Sequence, residues 1–183
     1  MKAPGARILV ALIFLLCFVF SFPLTSVSAA NILEGTVVKI ADGDTITVLD
    51  PDQVQHRVRL AGIDAPEKGQ PFCNASRKRL DELVARKNVR VEFDKHHRYG
   101  RIVGKVWVMP PDCPTCGKTL DVGLAQVTSG MAWWYRKYAN EQSAEDQRRY
   151  EFTEQEAKAK RAGLWQDKSP LPPWEFRAIQ GGR

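Results

Sequence analysis

Histidine and cysteine are scarce in this chain of 183 residues, at three and four respectively, and the way they are spread excludes two kinds of chemistry. Cys113-Pro114-Thr115-Cys116 has no second CxxC to complete a zinc site. No βαβ pattern surrounds it, so it is not a thioredoxin-like redox centre. No cysteine and no spaced histidine pair accompanies the acidic loops, which removes the soft and imidazole ligands that zinc calls for. There is no internal repeat and no low-complexity tract. Asp and Glu are absent from the first 30 residues, and Asp42-Gly43-Asp44 does not continue as an EF-hand loop.

The acid-free start carries Lys2 and Arg7, an apolar run from Ile8 to Phe20, and the small residues Ser28-Ala29-Ala30. That order describes an export signal spanning 1–30, cleaved after Ala30, and places the protein in the periplasm or outside the cell. The run is short for a membrane-spanning helix, which needs about 20 apolar residues. Extending it to Phe22 gives an uncleaved anchor as the alternative, the one case in which a membrane becomes a partner. Cys17 lies inside the run, after the large Leu16, and reads as apolar filler. Export favours oxidation of Cys113 and Cys116 to a disulfide, with Cys73 left over or paired with one of them. The formal net charge of +6 is a mild bias toward polyanions; it equally suits a surface kept soluble by charge.

Residues 31–168 are long enough for one domain with one core. The β-branched run Thr36-Val37-Val38 and the segment Thr45 to Val48 flank Asp42-Gly43-Asp44, which makes a hairpin. After Pro51-Asp52, Val54, Val58 and Leu60 alternate with Gln55, Arg57 and Arg59, so a strand puts the aliphatics inward and Arg59 on the other face. A helix capped by Asn74 or Ser76 follows, with Leu80, Leu83 and Val84 as its apolar stripe and Lys87-Asn88 at its end. Strands are expected from Val89 and from Ile102 to Met109, joined by a cationic connector from Lys95 to Arg101. A short helix near Asp121 to Ser129 and a long one from Ser143 to Ala162 complete the domain, with Gly163 as the cap glycine and Leu164-Trp165 as an apolar plug. Residues 169–183 form a proline-rich tail expected to be extended or disordered. Three strands, a helix, two strands and two helices give an α+β chain whose five strands suit a closed OB-type barrel with about three helices.

Strand end and loop bring both signs of charge together in Arg59-Leu-Ala-Gly-Ile-Asp64-Ala65-Pro-Glu67. Asp42, Asp44, Asp64 and Glu67 supply hard oxygen ligands that suit calcium or magnesium, and Arg59 and Arg101 are candidate anion binders. A metal flanked by guanidinium forks matches a phosphodiester, with a carboxylate left to handle the attacking water.

Asp42-Gly43-Asp44-Thr45, Arg59 through Glu67, and Tyr99-Gly100-Arg101, in that order, resemble the staphylococcal nuclease (thermonuclease-like) family over about Glu34 to Trp165. The resemblance implies an OB-fold barrel and calcium held by Asp44, Asp64 and the main-chain carbonyl of Ala65. It implies that Arg59 and Arg101 grip the phosphate, that Glu67 orients or deprotonates water, and that Tyr99 lines the nucleotide pocket. The activity implied is hydrolysis of DNA and/or RNA to 3′-phosphate and 5′-hydroxyl ends, with no stable protein partner. Ala65 stands where the best-known member has threonine, a change that a carbonyl ligand survives. The alternative is a non-catalytic OB module that binds nucleic acid or protein.

Overall fold

A computed structural model describes residues 31–94 and 100–181. The expected export signal at 1–30 lies outside the described residues, as does Tyr99 of the cationic connector. Among the described residues, no helix is long and apolar enough to cross a membrane.

The strands β1 (Asn31–Ile40), β2 (Thr45–Leu49) and β3 (Gln55–Leu60) form the meander that the alternation predicts. The two-residue β4 (Ile63–Asp64) follows, then α1 (Cys73–Val84), β5 (Asn88–Phe93), β6 (Ile102–Val108), β7 (Leu120–Asp121), α2 (Val122–Thr128), β8 (Trp133–Trp134), α3 (Ala144–Ala159) and α4 (Pro173–Gly181). The first half of β1 pairs with β5 and its second half with β2, so β1 bends between two partners. Gly35 sits at that bend, where a Cβ would come within 2.3 Å of the Leu49 carbonyl oxygen. Closure comes from β3 and β6, which pair parallel with Val58 opposite Ile102 and Leu60 opposite Gly104. The result is a closed five-stranded barrel in an α+β chain, antiparallel everywhere except at this seam. Its inward residues, among them Val37, Ile46, Val58, Leu60, Val91 and Val106, are fully buried. Val54, by contrast, precedes β3 and is exposed.

Helix α1 covers the barrel with Leu80, Leu83 and Val84, as its stripe requires. Neither expected cap forms. The helix starts after Phe72, which takes a left-handed conformation with φ +64° and offers no side-chain cap. Ser76 is instead buried against the hairpin turn, where a Cβ on Gly43 would lie 1.9 Å from Ser76 Oγ. The fully buried Gln126 of α2 donates from Nε2 to the carbonyls of Gly43 (2.8 Å) and Ser76 (3.1 Å), joining α1, α2 and that turn.

On α3 the buried residues are Tyr150, Glu154 and Ala157. Glu154 accepts from the backbone N–H of Trp134, from Arg136 Nη1 and from Lys158 Nζ, so its carboxylate is buried but fully engaged. The cap of α3 differs from the glycine cap expected. Arg161, at φ +51°, holds the left-handed position, and Ala162 N–H donates to Ala157 O. Gly163 answers a different demand: a Cβ there would lie 2.2 Å from Gly130 O. Leu164 is buried and the Trp165 ring meets Trp133 edge-on at 5.5 Å, which makes the apolar plug.

The Tyr150 hydroxyl donates to both carboxylate oxygens of Asp121, at 2.9 and 3.1 Å. Asp121 in turn caps α2 through Leu124 N–H. Burial, and the Asp121 charge beside it, raise the phenol pKa well above 10. A raised pKa in the folded state means that the stabilisation is intact below pH 10 and is lost as pH rises through the folded value, because the unfolded chain ionises first. Tyr150→Phe is expected to cost about 1–2 kcal/mol at neutral pH. It should also flatten the fall in urea midpoint above pH 10 that wild type shows.

Cys113 and Cys116 are joined by a disulfide with Cα atoms 5.4 Å apart, and Cys73 is free. Alkylation without reductant, read by mass spectrometry, should therefore label Cys73 and spare the other two. Labelling of both Cys113 and Cys116 would contradict the bridge.

The tail is not extended. Pro173 occupies the first helical position, where the missing N–H costs nothing and φ is already set, and α4 runs on to Gly181. Trp174 stacks on Tyr135 with ring centroids 5.4 Å apart and planes 16° from parallel. Phe176 helps line a small cavity of about 230 Å³ with Phe72, Trp133 and Leu164.

Candidate active site

The site is assembled at the end of β3. Because Val58 and Leu60 point into the barrel, Arg59 points the other way. Pairing of β3 with β2 sets Arg59 opposite Thr45, the neighbour of Asp44, and Leu60 N–H donates to Asp44 O at 2.8 Å. Strand β4 brings Asp64 to the same place. It is held by antiparallel pairing with β8, Asp64 lying opposite Trp133.

Arg59 spans the two aspartates. Its Nη1 donates to Asp44 Oδ1 at 2.9 Å, while Nη2 lies 2.9 Å from Asp44 Oδ2 and 2.5 Å from Asp64 Oδ1. Asp44 also accepts from Thr45 Oγ1 at 3.0 Å and from Ala65 N–H at 3.0 Å. Both aspartates are buried. Burial pushes the Asp44 carboxyl up to about 7, against the opposite pull of Arg59. Burial also works against the Arg59 charge, but Asp44 and Asp64 more than offset it and raise its pKa.

Glu67 sits on the loop after Pro66 with its side chain more than a third exposed. Its backbone is clipped by Gln70, which accepts from Glu67 N–H through Oε1 at 2.7 Å and donates to Leu171 O at 3.1 Å. Arg101 lines the same cleft, of about 920 Å³, together with Arg59, Glu67, Tyr135 and Tyr138. Among the described residues it pairs with none of these carboxylates. The structure thus gathers Asp44, Asp64, Ala65, Arg59 and Glu67 at one end of the cleft and places Arg101 in the lining of the same cleft, while Tyr99 lies outside the described residues.

One participant has no counterpart in the sequence reading. Arg177 of α4 donates to Asp64 Oδ1 (3.2 Å) and Oδ2 (2.7 Å), and its Nη1 also contacts Glu67 Oε1. Hydrogen bonds to Asp64, then to Glu67, raise its pKa above the ordinary guanidinium value. Pro172-Pro173 ahead of Trp174, a helix-start pattern, is the signal that could have revealed α4.

Among the described residues, no group of three or more His, Cys, Asp or Glu is arranged to hold a metal ion. The two buried carboxylates nevertheless converge on one nitrogen, Arg59 Nη2, which marks a point where positive charge is favoured. The donors there are all oxygen.

A barrel of the OB type that presents buried carboxylates and guanidinium groups on one cleft is suited to handling a phosphodiester. The chain belongs to the staphylococcal nuclease family: residues 57–167 match the family described as Staphylococcal nuclease homologue. It is 42% identical over 151 residues to Protein ParB of Escherichia coli, covering 82% of each chain. It is 43% identical over 156 residues to Micrococcal nuclease of Shigella flexneri, covering 84% of this chain and 86% of that one. An Uncharacterized endonuclease of Escherichia coli is 38% identical over 163 residues, 89% of this chain and 94% of its own. The chain is a nuclease of this family, and its substrate is nucleic acid.

Proposed function

We propose that the protein is an exported, calcium-dependent nuclease that hydrolyses DNA and/or RNA to 3′-phosphate and 5′-hydroxyl ends. The observation that carries this reading is the Arg59 guanidinium shared by two buried aspartates beside a partly exposed glutamate. The donor set fits calcium, since Asp44, Asp64 and the carbonyl of Ala65 are hard oxygens and water completes such a shell. When bound, the ion would supply Lewis-acid polarisation and neutralise charge on the phosphate oxygens.

In this reading Arg59 and Arg101, which line one cleft, bind the non-bridging oxygens, and their fixed forks stabilise the charge that builds as the phosphorus becomes five-coordinate. Glu67 takes a proton from the attacking water. The new P–O bond forms as the bond from phosphorus to the 5′-oxygen breaks, and that oxygen takes up a proton to leave as the 5′-hydroxyl. The phosphate stays on the 3′ side. Purified protein given single-stranded DNA and RNA should cleave with calcium and stop with a chelator. Binding without cleavage would favour a non-catalytic OB module instead.

Export rests on residues 1–30. N-terminal sequencing of the accumulated protein should begin near Asn31 in a non-cytoplasmic fraction. Met1 retained in the membrane would identify the anchored alternative, and Met1 in the cytoplasm would end the export reading.

A further inference from the structure

The C-terminal helix and the chain leading into it are docked over the same cleft by three separate contacts. Gln70 holds Leu171 O at 3.1 Å and Trp174 lies flat on Tyr135, whose ring lines the cleft. Arg177 reaches both oxygens of the fully buried Asp64 and also Glu67. A guanidinium on Asp64 uses the lone pairs that a metal ion needs, and it brings like charge beside any cation placed there. Trp174 covers a ring face of the kind on which nucleobases stack. The helix therefore meets the site with a cation and a flat ring together, the two features that a metal-bound nucleotide would present.

We propose that α4 is an internal competitor: Arg177 occupies Asp64, one of the ligands of the metal ion, and Glu67 beside it, Trp174 latches the helix on Tyr135, and cation binding requires α4 to leave. This rests on the calcium reading above. Binding energy spent on expelling the helix is lost from the apparent affinity, so the docked state lowers affinity by the fraction of molecules that are open. Exposed Ile179 and half-exposed Arg177 show that only part of α4 is buried, which suits a segment that detaches.

The test is calcium titration by calorimetry on full-length wild type, Arg177→Gln and Trp174→Ala, without nucleic acid, alongside amide hydrogen exchange of residues 174–181. Removing a positive charge beside an anionic site tightens calcium binding whatever the helix does. Trp174→Ala, which changes no charge, therefore carries the discrimination. We expect Arg177→Gln to bind calcium at least about tenfold more tightly and Trp174→Ala several-fold more tightly, with calcium accelerating exchange in wild-type α4. Tightening in Arg177→Gln alone, with α4 exchange unmoved by calcium, overturns the competitor. Equal affinities in all three proteins overturn it too while leaving the calcium reading intact. No calcium binding by any of the three overturns both.

Discussion

Glu67→Gln is expected to lower the turnover of single-stranded DNA cleavage by about 10²- to 10⁴-fold, the usual contribution of a positioned general base, with substrate binding almost unchanged. The amide keeps the size of the side chain and its backbone clip to Gln70 but cannot accept the proton of water. Glu67 is the least buried of the three carboxylates at the site, so the change leaves no orphaned group in the core. Single-turnover rates alongside binding isotherms separate the two effects. Arg57→Ala, an exposed position on β3, changes the net charge by one unit of the opposite sign and should leave turnover within about twofold, since surface charge away from a reacting phosphate acts weakly. A Glu67→Gln protein as fast as wild type would remove Glu67 from the chemistry.

The other large effect is expected at Arg59. Replacing it with alanine leaves Asp44 and Asp64 buried with no shared counter-charge, and breaking a buried ion pair from one side costs about 3–5 kcal/mol. Urea unfolding of the chelator-treated protein should show that loss. Turnover should fall by about 10²- to 10³-fold as well, the typical effect of removing one donor to a developing oxyanion. Arg59→Lys should recover part of the stability and little of the rate, because an ammonium cannot bridge two carboxylates and a phosphate as a planar fork does. Calcium should stabilise Arg59→Ala more than wild type, since the ion replaces the missing charge. Equal stabilisation of the two would place the ion elsewhere.

Much of this was legible in the chain because local rules decide it. The alternation at Val58-Arg59-Leu60 sends Arg59 away from the core whatever the barrel does, and Asp42-Gly43-Asp44 must turn between two β-branched strands. Leu80, Leu83 and Val84 had to cover something apolar. What stayed hidden depends on partners distant in sequence. The parallel seam of β3 and β6 is a matter of closure, which no alternation records. The pairing of Ile63-Asp64 with Trp133-Trp134 joins two segments too short to show a period. Ser76 looked like a cap because its residue type favours caps, yet tertiary packing against Gly43 and Gln126 claimed it and left the helix start to Phe72. Arg161 took the cap position expected of Gly163 because the Gly130 backbone required the glycine two residues later. Arg177 is the largest omission. It lies 113 residues from Asp64, in a segment whose prolines suggested irregular chain, although a proline at the first helical position starts a helix as readily as it breaks one.

Whether Asp44, Asp64, Arg59 and Glu67 form one site for metal-assisted hydrolysis of a phosphodiester can be tested on one gel. A single-stranded oligonucleotide labelled in the middle is incubated with wild-type protein in calcium, with wild-type protein in calcium plus excess chelator, and with Glu67→Gln in calcium, and the fragment ends are identified by mass. Cleavage is expected in the first case only, with every new 3′ end bearing the phosphate and every new 5′ end a hydroxyl. Cleavage that survives the chelator, fragments carrying 5′-phosphates, or an intact oligonucleotide under wild-type protein that demonstrably binds it would contradict the account.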